Sequence, residues 1–154
     1  MADSKREKIV AAIVTRMKLI NGAGDYTTDV NDRVEDSRTN WQQEEMPAIS
    51  VFDGDAIGTP TSTGQTLSTI HEMPVIIRGM TTQGTTAANA RTLIKDIMRA
   101  IRVDDKWTVS GVKLVMQTRQ VRDGILRNPD SFEVEGCEVE IEVQFQTAKF
   151  NAES

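Results

Sequence analysis

The chain has 154 residues, of which 38% are hydrophobic and 27% are charged, as expected for one folded domain spanning residues 1–154. Its 18 lysines and arginines and 23 aspartates and glutamates give a net charge of −5, which argues against bulk electrostatic binding of nucleic acid. A single cysteine excludes an intramolecular disulfide and a cysteine-cluster zinc site. Residues 1–8 are too polar for a signal peptide, and no apolar run approaches the roughly 20 residues that span a bilayer, so we expect cytoplasmic synthesis without export.

The first predicted element is an amphipathic helix. Ser4 and Glu7 have the spacing of a capping box, and Gly22 and Gly24 supply the C-terminal stop. Between them, apolar residues recur at helical intervals, at Ile9, Ile13, Met17 and Ile20. The pattern predicts a helix of about 16 residues with one buried face.

The next part of the chain predicts two strands separated by a loop. The alternation over 25–34 favours a short strand, and Pro47 opens a second one at Ala48–Phe52, since proline is tolerated at the first residue of a strand. Residues 31–46 between them are polar and irregular, and we expect a flexible loop there. A second flexible segment, a mobile hairpin or an excursion, is expected over 53–66, where glycine, proline and threonine are frequent and the length exceeds a tight turn.

The second half of the chain predicts three further strands and a helix. Residues 66–80 favour a strand that bends near Pro74, and residues 87–101 form a second amphipathic helix, capped by Thr85 or Thr86. Alternating residues predict a fourth strand over 107–121, followed by a turn over 123–130.

The terminal strand has the clearest pattern in the chain. Apolar side chains occupy one side and polar side chains the other, in the order Val139, Ile141, Val143, Phe145 and Glu138, Glu140, Glu142, Gln144, Gln146. The apolar register changes at Gly136, as a β-bulge would require. These elements predict an α+β fold: an antiparallel sheet of about four to five strands, with two amphipathic helices packed on its apolar face.

Few residues are candidates for chemistry. His71 and Cys137 are the only histidine and cysteine, and neither lies in a nucleophile motif, so we interpret them as packing residues. The pair Asp53 and Asp55 lacks the further oxygen ligands of an EF-hand loop, so we interpret both as turn residues. We therefore expect no catalytic residues, no metal and no cofactor.

The acidic row Glu138, Glu140 and Glu142 has two interpretations. Same-face neighbours on a strand lie about 6.8 Å apart, so three ionised carboxylates in line repel one another. The first interpretation is a solvated outer face, neutralised across the hairpin by Lys113, Arg119 or Arg122. The second is a surface for a neighbouring subunit, or the negative wall of a channel through which DNA slides.

The order of these features resembles a known family. The carrying segments are the N-terminal helix, the run Tyr26–Val30, the run Glu44–Val51, the helix with its acidic turn at Asp104–Asp105, and the ending Val143–Thr147. This order is similar to the tail terminator family of tailed bacteriophages, also called tail completion or minor tail protein U-like proteins. The resemblance covers nearly the whole chain and includes no catalytic signature.

The resemblance implies a structural virion protein, made in the host cytoplasm, that forms a hexameric ring at the head-proximal end of a tail tube. Such a ring ends tube polymerisation and forms the head-joining surface, so the implied partners are further copies of the chain, the tube protein and a head-completion protein. DNA would pass through without specific binding. The candidate subunit or tube contacts are Arg33, Arg38, Trp41, Asp53, Asp55, Thr59 and Thr61, and the candidate lumen or interface face is the acidic row. Trp41 has an alternative role as a lid over the sheet.

Two other classes stay open. The chain could be another head–tail connector or a tail-tube subunit, although a tube subunit more typically has a single main helix. It could also be a small cytosolic protein-binding module.

Overall fold

The computed structural model describes residues 4–63, 66–84 and 86–148. Two helices, a short 3₁₀ helix and eight strands follow one another in the order α1 (Lys5–Met17), β1 (Val34–Asp36), 3₁₀ helix (Gln43–Glu45), β2 (Ala48–Asp53), β3 (Ile57–Thr63), β4 (Thr66–Gly84), α2 (Ala88–Arg102), β5 (Thr108–Val109), β6 (Val112–Lys113), β7 (Gln117–Arg127) and β8 (Val134–Ala148). Neither helix in the described ranges is long and apolar enough to cross a bilayer.

The main sheet has six strands, five of them in the order β1-β2-β4-β8-β7, and β3 pairs separately with β4. The predicted α+β class is confirmed. The sheet is larger than expected and mixed, because β1 pairs with β2 in parallel while the other pairs are antiparallel. Strands β5 and β6 form a separate two-stranded hairpin.

The pairing of β4 with β8 is the longest in the sheet and runs from Ser68 opposite Ala148 to Met80 opposite Gly136. The predicted apolar side of β8 is buried, and Val139, Ile141 and Val143 are all 0% exposed. Helix α2 packs over β8 and β4, whereas α1 packs over β1 and β2. Both helices therefore cover one face of the sheet, as the sequence predicts.

The segment expected to be a flexible loop over 53–66 contains strand β3. Strands β2 and β3 lie end to end along the same edge of β4: Asp53 is opposite Val75, and Ile57 is opposite Glu72. The break between them falls at Pro74, whose carbonyl accepts a hydrogen bond from Gly54 at 2.8 Å. Strand β4 itself continues through Pro74, so the interruption lies between its neighbours β2 and β3. Residues 64 and 65 lie outside the described residues.

The strand predicted over 25–34 is wrong for most of its length, since the only strand there starts at Val34. The backbone N–H groups of Thr27 and Thr28 donate instead to the Asp96 carboxylate, at 3.1 and 2.7 Å. Asp96, a charged residue of α2, is fully buried. The Asp96 carboxylate thus accepts hydrogen bonds from loop N–H groups that have no partner strand. The periodicity of the sequence does not indicate such a long-range contact.

The predicted strand over 107–121 and turn over 123–130 are also displaced. Trp107 is fully buried, and its Nε1 donates to Thr118 Oγ1 at 2.9 Å. The β5–β6 hairpin occupies the next residues, and β7 then continues through Gly124 to Arg127. The turn consequently comprises residues 128–133, because Gly124 lies opposite Glu138 within the strand pair rather than in a turn.

The predicted irregularity at Gly136 is confirmed. Leu126 is opposite Gly136 while Arg127 is opposite Val134, so β8 carries one extra residue at this point. A Cβ atom on Gly136 would lie 2.0 Å from the carbonyl oxygen of Gly79 on β4. Only glycine permits this approach of the two backbones.

We expect Gly136→Ala to lower the free energy of unfolding by about 2 kcal/mol or more, because the new methyl group overlaps a neighbouring backbone that cannot rotate away. Gly124→Ala is the matched control, since no atom lies within 4 Å of its added Cβ, and a change within about 0.5 kcal/mol is expected. Urea denaturation followed by circular dichroism measures both variants. Equal stabilities of the two variants would contradict the close approach.

Candidate interaction surface

The sheet face that carries no helix is the candidate interaction surface, and we call it the outer face. The polar side of β8 lies on it, with Glu138 opposite Arg78 of β4, Glu140 opposite Arg122 of β7, and Glu142 opposite Arg119. Arginines on both neighbouring strands therefore flank the acidic row.

Glu138 is the centre of this arrangement. Its Oε2 accepts hydrogen bonds from Nη2 and Nε of Arg78 at 2.6 and 3.0 Å, and its Oε1 accepts one from Arg122 at 3.0 Å. The residue is only 8% exposed although it lies on the open side of the sheet. A carboxylate so buried requires its charge partners, because an unpaired ion would carry a large desolvation cost.

The rest of the row is paired as well. Arg122 also donates to Glu140 at 3.1 Å, and Arg119 donates to Glu142 at 3.1 Å. Three guanidinium groups thus neutralise three carboxylates. These pairs support the interpretation of a neutralised face, with Arg119 and Arg122 as the expected partners. The third partner is Arg78 and not Lys113, which lies in the separate strand β6. The role of the acidic row as a lumen or subunit face stays a prediction.

The two arginines decide the ionisation of Glu138. Burial alone would raise the pKa of this carboxyl, but hydrogen bonds from Arg78 and Arg122 and their positive charges outweigh burial and hold the pKa below its usual value. The hydrogen bonds to Glu138 and Glu140 raise the pKa of Arg122 in turn. Glu138 is therefore ionised at neutral pH, when both arginines are charged.

Trp41 covers the β2 end of the outer face. Its Nε1 donates to Ser50 Oγ at 2.8 Å, and the Arg38 guanidinium lies 3.9 Å from the centre of its ring. Arg38 is held by Glu45 at 2.8 Å and by Glu35. Ser50 is 1% exposed under this cover, so Trp41 is a lid over the sheet whose own ring is half-buried. A cation stacked on an indole adds about 0.5–1 kcal/mol at such a partly exposed site.

The remaining predicted contact residues have different surroundings. Arg33 donates to the carbonyls of Pro47 and Asp29 at 3.0 and 2.6 Å, and so braces the chain before β2. Asp53 pairs with Arg6 of α1 at 2.6 Å. Asp55 and Thr59 are exposed, and the side chain of Thr61 lies outside the described part of the structure. Their interface role stays a prediction.

His71 and Cys137 are separated by the strand register. Cys137 is opposite Gly79, eight positions along β4 from His71, which corresponds to about 26 Å. Burial raises the pKa of the Cys137 thiol to about 12, and His71 stacks on Phe145 with 4.9 Å between ring centres. The two residues cannot form a nucleophile–base pair. No cluster of three metal-ligating side chains occurs among the described residues.

Two surface features have no counterpart in the sequence predictions. A groove of about 350 Å³ runs along α1, lined by Lys8, Ala11, Ala12, Thr15, Arg16, Leu19, Thr108 and Val109, and we call it the α1 groove. Phe132, in the turn between β7 and β8, is 71% exposed. In the sequence, small residues on the side of α1 opposite its buried side chains are the signal for the groove. The signal for the turn is an aromatic residue among acidic ones.

We expect Glu138→Gln to lower the free energy of unfolding at pH 7 by about 1–3 kcal/mol, because hydrogen bonds to a charged group are lost and two arginines are left partly unpaired. Glu142→Gln, whose partner Arg119 is 60% exposed, is the matched control with an expected change below about 1 kcal/mol. Chemical denaturation at a series of pH values measures both.

The pH dependence has a defined sign. The folded-state pKa of Glu138 is depressed, so its stabilisation is present above the unfolded-state pKa of about 4.3 and is lost as pH falls through the folded-state value. The stability difference between wild type and Glu138→Gln should therefore shrink below about pH 4. A difference that stays constant down to pH 2 would contradict this account.

Comparison with known proteins supports the fold alone. No protein-family model matches the chain, and no curated protein matches it in sequence. Among solved structures, a chain of the virion of a native gene transfer agent particle matches with a TM-score of 0.56 and 11% identity. The match covers 95% of this chain and 100% of that one. This chain therefore has the fold of a virion component over nearly its whole length.

Proposed function

We propose that the chain is a structural protein of a phage-like virion. The observation that carries this proposal is the shared fold with a chain of the gene transfer agent virion, which extends over all of that chain. A match that extends over nearly all of both chains indicates a shared overall fold and not only a shared part of it. The resemblance of the sequence to tail terminators, which rests on different features, leads to the same class of protein.

More specifically, we propose that the chain is a tail terminator. In this role, copies of the chain form a ring, expected to be a hexamer, on the head-proximal end of the tail tube. The ring ends tube polymerisation and presents the surface to which a head-completion protein binds, while DNA passes through it without specific contacts. The chain would then reside in the virion tail.

The surface chemistry supports a structural role. The charged side chains of the outer face pair with one another, because Arg78, Arg119 and Arg122 form ion pairs with the acidic row. The only thiol and the only imidazole of the chain are used in packing, far from each other. We accordingly propose that the protein has no enzymatic activity.

We expect the purified protein to be monomeric or weakly associating when dilute, and to form six-fold rings at high concentration or on tail tubes. Size-exclusion chromatography with light scattering gives the mass, and negative-stain imaging with tubes of the cognate tube protein gives the location. Tubes polymerised with the protein should be shorter and carry it at one end. A tight monomer that ignores tubes would rule out the terminator role.

The alternatives predict other outcomes in the same experiments. A tube subunit would be incorporated along the whole tube, whereas a cytosolic binding module would leave tube length unchanged. Turnover of a nucleoside triphosphate or a simple ester by the purified protein, abolished in an inactive variant, would instead restore the enzyme interpretation.

A further inference from the structure

The turn between β7 and β8 displays an aromatic side chain to solvent. We call residues 128–133 the 128–133 turn, and its Phe132 side chain is 71% exposed. Phenylalanine is among the residues that proteins most often bury, so an isolated exposed ring on a projecting turn requires a reason.

The 128–133 turn is firmly held by hydrogen bonds. The Asn128 side chain accepts hydrogen bonds from the backbone N–H groups of Asp130 and Ser131, at 2.9 and 3.2 Å. The Asn128 carbonyl accepts a hydrogen bond from the Phe132 N–H at 2.8 Å, and the Asn128 N–H donates to the backbone carbonyl of Glu133 at 2.8 Å. Phe132 itself has a φ of +57°, which is an outlier for an aromatic residue. The turn therefore holds the ring in a fixed, strained position instead of letting it fold back onto the sheet.

The α1 groove has the dimensions and lining to accept such a ring. Ala11, Ala12 and Thr15 form its floor, and these small side chains leave open space above the helix. Leu19 and Val109 on its walls are 47% and 48% exposed. A volume of about 350 Å³ is ample for a phenyl ring, since an apolar cavity of about 150 Å³ in another protein accepts benzene.

The charges around the two features are complementary. The 128–133 turn carries Asp130 and Glu133, both exposed, and the exposed Arg127 before it donates to the Phe132 carbonyl at 3.1 Å, which leaves one negative charge in excess. The residues that line the α1 groove include Lys8 and Arg16 but no carboxylate. Arg16 is already engaged with Asp104 at 3.7 Å, so the exposed Lys8 is the main positive charge available to a partner. Opposite charges at the rim of a contact set its orientation and speed its formation.

The turn cannot enter the groove of its own molecule. Lys5, about one helical turn before Lys8, donates its Nζ to the carbonyl of Gln146 at 2.8 Å. Met116 follows the β5–β6 hairpin that carries Thr108 and Val109, and its N–H donates to the carbonyl of Gln144 at 2.7 Å. The groove therefore lies near the C-terminal end of β8, whereas the 128–133 turn precedes its first residue, Val134. Ten residues of strand place the two features about 30 Å apart.

We infer that Phe132 of one copy inserts into the α1 groove of the next copy, with the acidic turn facing Lys8. This inference rests on the proposed ring and assigns the contact that builds it. The contact joins two different patches on each copy, so repeating it produces a closed ring or an open filament rather than a two-fold dimer.

The first test compares exposed apolar residues. Phe132→Ala, and Ala11→Glu, which places a charged side chain in the groove, should each weaken self-association roughly tenfold or more, as expected for a central anchor residue. Val121→Ala is the matched control because Val121 is 43% exposed, lies in β7 and belongs to none of the candidate contacts, and its association should stay within about twofold of wild type. Sedimentation velocity at several concentrations measures association, and circular dichroism checks that each variant is folded.

A charge exchange provides the second test. Lys8→Glu alone, and Asp130→Lys combined with Glu133→Lys, should each weaken association at low ionic strength. Combining all three substitutions in one chain should restore association, because the attraction is recreated with reversed signs. Restoration separates a direct contact from general damage to the surface.

The possible failures are distinguishable. If wild type forms rings and Phe132→Ala and Ala11→Glu form them equally well, the contact is elsewhere, although the terminator role stands. Equal weakening by Phe132→Ala and Val121→Ala would also overturn the contact, since exposed apolar area alone would explain it. If wild type associates neither alone nor on tubes, both this contact and the proposed function fail.

Discussion

The close pairing of β4 with β8 is the constraint on which the rest of the structure depends. A side chain at Gly79 would overlap Leu93 of α2, and at Gly136 the backbone of β8 approaches Gly79 of β4 so closely that no side chain fits there. This contact fixes the register, and the register decides which residues of β8 face the helices. A shift by one residue would exchange the buried Val139, Ile141 and Val143 for the glutamates of the opposite side. Each of these buried aliphatic side chains stabilises the fold by about 1.5–3 kcal/mol, so the alternative register is strongly disfavoured.

The same register creates the ion pairs of the outer face. It places Arg78 and the acidic side of β8 in adjacent positions, and the β7 pairing brings Arg122 to the other flank of Glu138. The protein has a net charge of −5, yet this face is balanced. A balanced, flat and largely polar face does not attract phosphates or other highly charged ligands. It is compatible with a component that must assemble with other proteins while leaving DNA free to move.

Periodicity in the sequence predicted the elements whose burial is one-sided. Both helices, the terminal strand and the bulge at Gly136 follow from side-chain spacing, because one face of each element is apolar and the other polar. The errors occurred where a single long-range contact determines the backbone. Asp96 holds residues 27 and 28, Trp107 is buried beside Thr118, and β3 pairs along the extension of β4. The acidic row was recognised from its spacing, but its partner Arg78 lies 60 residues away, and pairing at that distance leaves no local signal.

We propose that the chain caps the end of a tail tube as a ring. Cryo-electron microscopy of virions purified from cells that express the chain is the decisive measurement. One ring of copies, each with the fold described above, is expected between the last tube layer and the head-joining proteins. Density for the chain along the tube or inside the capsid, or particles that lack it entirely, would rule out this role.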